Sequence, residues 1–453
     1  MKKIILFALL VFLTYSSSAL GQTVQTITLQ EAIEIALENN YQLKQAENNL
    51  TLSEDRIKSE YADFLPNLNA GMTGRRSTGN QFNNNTGDFV NRTLFSFGAS
   101  LSTGITIFGG FENINSLRSA EQNKISSEES LKRAKESIIF STATSYLQVL
   151  LSQELLEIAE SNLETSTRQL EQIQAQVEVG SRPAVDLYNQ ESAVATDELA
   201  VTNQENSLSI SKLSLVRQLQ IDPLGEYEFV IPEINIEDAS AKDYDLKLLV
   251  EEAIAGRSDL LSEQASIKAL EYQKAITKSA ILPSLTMSGS VSSDANDATL
   301  DPLTGDNALF GDQFFDRNVG TSISLSLNIP IFNNLDRSVN IQNSKIQFKN
   351  AELAYQNSEL GVIQEVTQAH IDYISIVKQL DASNKALLAS EKAFETQQER
   401  YNVGASTLIE LSQAQANYVS AQSNSTQALY NLIFQEKLLD FYLGKLSGEN
   451  IEF

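Results

Sequence analysis

The chain has 453 residues, 58 acidic against 33 basic, with no cysteine, one histidine and a formal charge of −25. That charge excludes the basic footprint a nucleic-acid binder needs. The absence of cysteine excludes disulfides, thiolate metal sites and a lipid on a mature N-terminal cysteine, and a lone His370 makes neither a metal site nor a triad.

Residues 1–21 read as a cleaved secretory signal. Lys2 and Lys3 form the positive n-region, residues 4–13 the short apolar core, and Ala19-Leu20-Gly21 the peptidase site. Without the two lysines, 31 basic residues face 58 acidic ones, a charge of −27, which suits a water-exposed surface or a cation-favouring lumen. No later stretch is apolar for the roughly 18 residues of a membrane helix, so any membrane crossing is expected from strands.

Thr28-Leu29-Gln30-Glu31 has the capping-box pattern and opens an amphipathic helix marked by Ala32, Ile33, Ile35, Ala36 and Leu37. Asn39-Asn40 breaks it, and a second helix is predicted over 42–64, ahead of Pro66. The period then falls to two. Leu68, Ala70 and Met72 alternate with Asn67, Asn69, Gly71 and Thr73, and 78–91, rich in Asn and Gly, reads as a loop. Phe95, Phe97, Ala99, Leu101, Ile105 and Ile107 then alternate with Ser96, Gly98, Ser100, Ser102, Gly104 and Thr106. One apolar face and one face of very small polar groups suit a transmembrane barrel with a wide lumen; a single such strand would equally fit a sandwich.

Residues 111–178 are predicted as one helix. Val149, Leu156, Leu163, Leu170 and Val177 repeat every seven residues, the seam of a left-handed coiled coil. At about 1.5 Å per residue the helix would run roughly 100 Å. It breaks at Val179-Gly180-Ser181-Arg182-Pro183, and a helix over 184–220 closes a hairpin. The proline- and acid-containing stretch 222–245 reads as a linker.

The second half repeats the plan. Ala253, Ile254 and Leu260 follow Ala36, Leu37 and Leu43 by 217 positions, as Leu282-Pro283 follows Leu65-Pro66. Leu285 and Met287 alternate with Ser284, Thr286 and Ser288; 294–318 reads as a loop; Ile323, Leu325, Leu327 and Ile329 alternate with Ser324, Ser326 and Asn328. Ile331-Phe332-Asn333-Asn334 follows Ile107-Phe108-Gly109-Gly110 by 224 positions, and Tyr373, Leu380, Leu387, Phe394 and Tyr401 follow the seven-residue stripe by the same offset. The break Val403-Gly404-Ala405-Ser406 recurs too. The chain therefore divides into a signal (1–21), a first repeat (22–221), a linker (222–245) and a second repeat (246–453). Two strands per half give four per chain. The smallest transmembrane barrels have about eight strands, and lipid leaves no edge unpaired, so closure requires several chains.

The ordered set Thr28-Leu29-Gln30-Glu31-Ala32-Ile33, Ala36-Leu37-Glu38-Asn39-Asn40, the strand ends at Ile107–Gly110 and Ile331–Asn334, and the turns Val179-Gly180 and Val403-Gly404 resembles the TolC-like outer membrane efflux protein family. The likeness covers nearly all of the mature chain. It implies a mixed α and transmembrane β fold: a homotrimer whose twelve strands form one outer-membrane barrel, continuous with a periplasmic coiled-coil tunnel. It implies a passive conduit of a tripartite efflux or type I secretion system in a Gram-negative outer membrane, with a periplasmic adaptor and, indirectly, an inner-membrane pump as partners. No cofactor or metal is implied.

Site residues follow from the same resemblance. Family members carry an acid six residues after the second tip glycine and often another nine after it; here these are Glu410 and, departing from the pattern, Gln413. Three Glu410 side chains on a trimer axis would form an anionic ring that narrows the tip and binds multivalent cations. Asp186 lies six after Gly180 and in the family links to a tyrosine and an arginine. Tyr401 matches the tyrosine, Ser406 stands at the arginine, and Arg182 and Arg400 are the candidates to replace it. Gln169 is a candidate for a further polar link. The tips Val179, Gly180, Ser181 and Arg182, and Val403, Gly404, Ala405, Ser406 and Thr407, are expected to dock on the adaptor.

A structural or adhesive trimeric coiled-coil stalk is the competing function. It shares the heptads but has no need of two copies of a membrane strand set. An enzyme is not expected, since no nucleophile–histidine–acid set, phosphate loop or ligand cluster occurs. The terminal Phe453 follows a helix and the tail Gly448-Glu449-Asn450 rather than a strand, unlike the aromatic end of many barrels.

Overall fold

A computed structural model describes residues 25–83, 87–230, 242–301 and 305–446. The signal, part of the linker and the C-terminal tail with Phe453 lie outside the described residues.

Strand β1 (Gln25–Ile27) leads into α1 (Leu29–Asn39) and α2 (Tyr41–Ala62). Thr28 caps α1 through the full capping box with Glu31, and Asn40 ends it in an extended conformation. Two long strands follow, β2 (Asn67–Asn83) and β3 (Asp88–Phe108), then α3 (Glu112–Glu178) and α4 (Ala184–Leu219). The second half runs β4 (Tyr227–Phe229), α5 (Leu246–Gly256), α6 (Ser258–Ser279), β5 (Ser284–Asn296), β6 (Gly320–Asn328), α7 (Asp336–Asn402) and α8 (Leu408–Tyr442). Helices α3 and α7 each have 67 residues.

Three expectations need correction. The polar stretch 78–91 is mostly strand, because the ladder pairs backbone whatever the side chains: Gly79 faces Arg92 and Asn80 faces Asn91. The loop over 294–318 has local order, with a turn at Phe310–Asp312 and a π-turn at Gln313–Arg317. The stretch 222–245 contains β4, which pairs in parallel with β1. Tyr146 fixes this small sheet by donating from its buried hydroxyl, 2.9 Å to the Ile27 carbonyl and 2.7 Å to that of Val230. Burial pushes its phenol up to about 12.

The residues fall into two compact units whose boundaries lie inside helices rather than at the midpoint of the sequence. One holds residues up to Ala46, Leu131–Ser258 and Glu359 onward. Its core packs Ile33 and Ala36 of α1, Tyr146, Val149 and Leu150 of α3, Leu215 and Leu219 of α4, Phe229, and Tyr430 and Ile433 of α8. Toward the α3 terminus the seven-residue stripe is not fully covered. Val149 is buried, but Leu156, Leu163, Leu170 and Val177 are half-buried. In α7, Tyr373 and Tyr401 are buried and Leu380, Leu387 and Phe394 half-buried between them. A two-residue seam needs helices on both sides, and one chain supplies only part of the cover.

The other unit comprises Glu47–Ser130 and Asp259–Ser358. Its helices approach closely through small hydroxyl residues: Ser126 lies 2.9 Å from both Ser262 and Ser266, and Thr277 2.8 Å from Ser344. Its sheet is antiparallel in the order β2-β3-β5-β6. Opposed residues share a face. One face carries Leu68, Met72, Leu101, Ile105, Met287, Val291, Ile323, Leu325 and Leu327. The other carries Ser102–Ser290–Ser322 and Gly104–Ser288–Ser324 rows, with hydroxyls 2.8 Å apart at Ser290–Ser322 and 2.7 Å at Ser288–Ser324. A bulge at Ile107 shifts the β3–β5 register, so that Phe108 pairs with Leu285. The outer strands β2 and β6 have one free edge each, and every residue of β6 is exposed.

Candidate functional site at the helical tips

Both long helices end the same way. Gly180 and Gly404 each have φ +76°, the left-handed region that glycine enters without a Cβ penalty. In the first tip the Gly180 amide donates to Val177 at 2.9 Å and Ser181 to Gln176 at 2.8 Å; in the second, Gly404 donates to Tyr401 at 3.0 Å and Ala405 to Arg400 at 2.8 Å. The return helices start differently. Pro183 at the N-cap of α4 makes no side-chain cap, whereas Thr407 caps α8 in a complete box with Glu410.

The tips share a small core of Ile173, Tyr401, Leu408 and Leu411, with Val177, Leu187 and Phe394 against it. Arg182 reaches across from the first tip. Its guanidinium sits 4.1 Å from the Tyr401 ring centroid and donates to the Tyr401 carbonyl at 3.4 Å. It also lies 3.7 Å from Asp186 and donates to Gln176 at 3.0 Å. Of the two candidate arginines, Arg182 therefore occupies the bridging place. Arg400 turns back into its own hairpin, donating to the Ala405 carbonyl and the Gln397 side chain, each at 3.2 Å.

The link differs from the one the resemblance implied. Asp186 does not bond the Tyr401 hydroxyl, which is buried and finds no hydrogen-bond partner. Burial pushes that phenol above its ordinary value, with Asp186 adding to the rise and Arg182 opposing it. The ring and backbone of Tyr401 carry the contact. The Gln169 amide nitrogen is likewise buried without a partner, so it adds no link between the hairpins.

Glu410 is exposed and tied locally. Its Oε2 accepts from the Ser406 hydroxyl at 2.7 Å, the Thr407 amide at 3.1 Å and Gln397 at 3.2 Å. Gln397 also bonds the Ser406 hydroxyl. The Ser406 bond and then the Thr407 amide hold its carboxyl below the ordinary range against desolvation, with smaller help from the Arg400 charge and Gln397. With Gln413, which donates to Asn417 at 3.1 Å, Glu410 lines an open cavity of about 550 Å³. Glu410 thus has a capping role beside the acidic position that the resemblance implies. The pattern Thr407-Leu408-Ile409-Glu410 is also a capping box, a signal present in the sequence. Val179 and Val403 are exposed at the extremities of the tips. Among the described residues no three metal-ligating side chains gather, and His370 is half-buried with Nε2 3.0 Å from the Tyr244 carbonyl.

A sequence model of the family described as "Outer membrane efflux protein" matches residues 32–219 and 249–445. The pyoverdine export outer membrane protein OpmQ of Pseudomonas aeruginosa is 25% identical over 380 residues, covering 81% of this chain and 74% of that protein. The outer membrane protein TolC of Escherichia coli is 21% identical, with 96% and 86% covered. Among solved structures, the Vibrio cholerae outer membrane protein VceC superposes with a TM-score of 0.77 at 15% identity, covering 92% of this chain and 96% of that one. The open state of the Neisseria gonorrhoeae channel MtrE gives 0.73 at 20%, with 92% and 88% covered. At such identities the superpositions speak for the fold; the family match speaks for the chain and sets the stalk aside. This chain belongs to the outer membrane efflux protein family and is an export channel of the outer membrane.

Proposed function

We propose that the chain forms a homotrimeric conduit, with one twelve-stranded barrel in the outer membrane and a coiled-coil tunnel across the periplasm, built from two structural repeats (22–221 and 246–453) joined by 222–245. One observation carries the assembly: a four-stranded sheet with a serine face, an exposed apolar face and two free edges. Four strands cannot close, and an open edge in lipid leaves backbone groups unsatisfied. The half-covered seams of α3 and α7 ask for neighbouring helices in the same way.

At the tips, Arg182 with Asp186 and Tyr401 forms the latch between hairpins, and Glu410 forms the acidic constriction, with Gln413 a neutral position above it. The exposed residues of the two turns, Val179 to Arg182 and Val403 to Ser406, dock on a periplasmic adaptor that couples to an inner-membrane pump. The protein performs no chemistry of its own and draws energy from that pump. The relatives' names favour small-molecule efflux over protein secretion.

The cysteine-free chain makes the test direct. A single cysteine in β2 and one in β6, scanned along the two strands, should cross-link the outer-membrane protein into covalent trimers at matching registers. A correctly inserted protein that yields only monomers at every register would contradict the assembly.

A further inference from the structure

The far end of the sheet holds a feature that export does not use. Arg76 of β2 lies opposite Phe95 of β3, on the same apolar face as Met72, Phe97 and Leu101. Its guanidinium is 5.5 Å from the Phe95 ring centroid. The connection between β5 and β6 folds back over this face. Phe310 and Phe314 stack on each other at 5.5 Å and meet Phe97 at 5.9 and 5.4 Å. Gln313, 1% exposed, anchors the fold: it donates to the Asn296 carbonyl at 2.9 Å and the Ala308 carbonyl at 2.8 Å and accepts from the Asn296 amide at 3.1 Å. Together these line an open cavity of about 650 Å³ with aromatic walls and Arg76 at its rim.

The depth of this cavity decides its surroundings. From Ile105, near the helical end, to Phe95 the strand climbs ten residues, roughly 33 Å along its axis and roughly 25 Å of height at a tilt of about 40°. That matches the apolar band of a barrel, so Phe95 and Arg76 stand where the outer leaflet's acyl chains meet its headgroups. The acid facing the cavity, Asp297, is engaged: its carboxylate accepts from the Phe95 amide at 2.9 Å. Arg76 beside an apolar pocket contrasts with a chain whose charge is −25, while Arg75, opposite Ser96, falls on the serine face.

We propose that this cavity binds a phosphorylated, multiply acylated glycolipid of the outer leaflet, resting on the barrel reading above. Acyl chains fill the space between Phe95, Phe97 and Phe310. The phosphate takes the Arg76 guanidinium, whose planar fork suits a phosphate better than a lysine would. A zwitterionic phospholipid brings fewer chains and a phosphate already balanced by its own cation, so it binds less well.

The trimer in mild detergent would be titrated with bis-phosphorylated lipid A and, separately, with phosphatidylethanolamine, with bound lipid counted by native mass spectrometry. Lipid A should be retained at about tenfold lower concentration than the phospholipid, and Arg76→Ala should erase most of that preference while leaving trimer mass unchanged, an effect sized on a lost charge-assisted bond. Phe95→Ala should weaken both lipids. Equal retention of the two lipids by the intact trimer would overturn the site and leave the barrel standing. So would a preference that survives Arg76→Ala, or a cavity found filled by the neighbouring protomer. A protein that forms no trimer would overturn both.

Discussion

The two tips share a backbone and differ in chemistry. Each long helix stops on a glycine at the same φ, with the same pair of closing bonds. The first tip then sends Arg182 outward to the other hairpin, and its return helix has no side-chain cap. The second folds inward: Ser406, Thr407 and Gln397 all serve Glu410, and Arg400 stays at home. The same backbone break thus carries two side-chain arrangements: Arg182 contacts the other hairpin, and Glu410 is bonded within its own. The break itself is a backbone matter; what each tip does depends on one or two side chains beside it.

The largest expected effect separates the two arginines. Arg182→Ala removes the stacking on Tyr401 and the pair with Asp186, together about 1–2 kcal/mol, and should raise the open fraction of single channels by about tenfold. Arg400→Ala should change it by less than about 0.5 kcal/mol, since its bonds are exposed and lie in its own hairpin. Equal effects would break the asymmetry.

Capping comes next. Thr407→Ala should cost about 1 kcal/mol and speed amide exchange in the first turn of α8 by about fivefold. Ser181→Ala, in the uncapped tip, should leave the first turn of α4 within about 0.5 kcal/mol of wild type.

A smaller shift concerns pH. Glu410 has its carboxyl lowered, so the stabilisation from its bonds is present above the ordinary glutamate range and lost as pH falls below it. The Ser406 hydroxyl is the largest cause. Ser406→Ala should therefore move the pH at which multivalent-cation block disappears upward, read as block against pH. An unchanged midpoint would remove Ser406 from the account. The smallest effect belongs to Tyr401→Phe. Its hydroxyl has no partner, so open probability and melting should stay within about 0.5 kcal/mol of wild type.

Much of the fold was legible because its signals are long or repeated. The alternation of β3, the box at Thr28 and the paired glycine breaks each rest on several residues of one type at one spacing. The three-residue strands β1 and β4 carry no period, and only the fold brings Tyr146 to their carbonyls. Along the tips, position in the chain left Arg182 and Arg400 equivalent; the packing of Tyr401 distinguishes them. The second role of Glu410 is written in the sequence as the capping box Thr407-Leu408-Ile409-Glu410. The half-buried stripe of α3 and α7 is a different case, since the residues that would cover it belong to other chains in the proposed trimer.

The most direct test of the conduit and its acidic constriction is single-channel conductance of the detergent-extracted protein in a planar bilayer, before and after a trivalent cation is added on the helical-tip side. The account predicts small cation-selective steps that the trivalent ion blocks, with block weakened at least tenfold in Glu410→Gln, an effect sized on the loss of a close multivalent charge contact. Cation-selective steps that the ion leaves untouched, or that it blocks equally in Glu410→Gln, would contradict it.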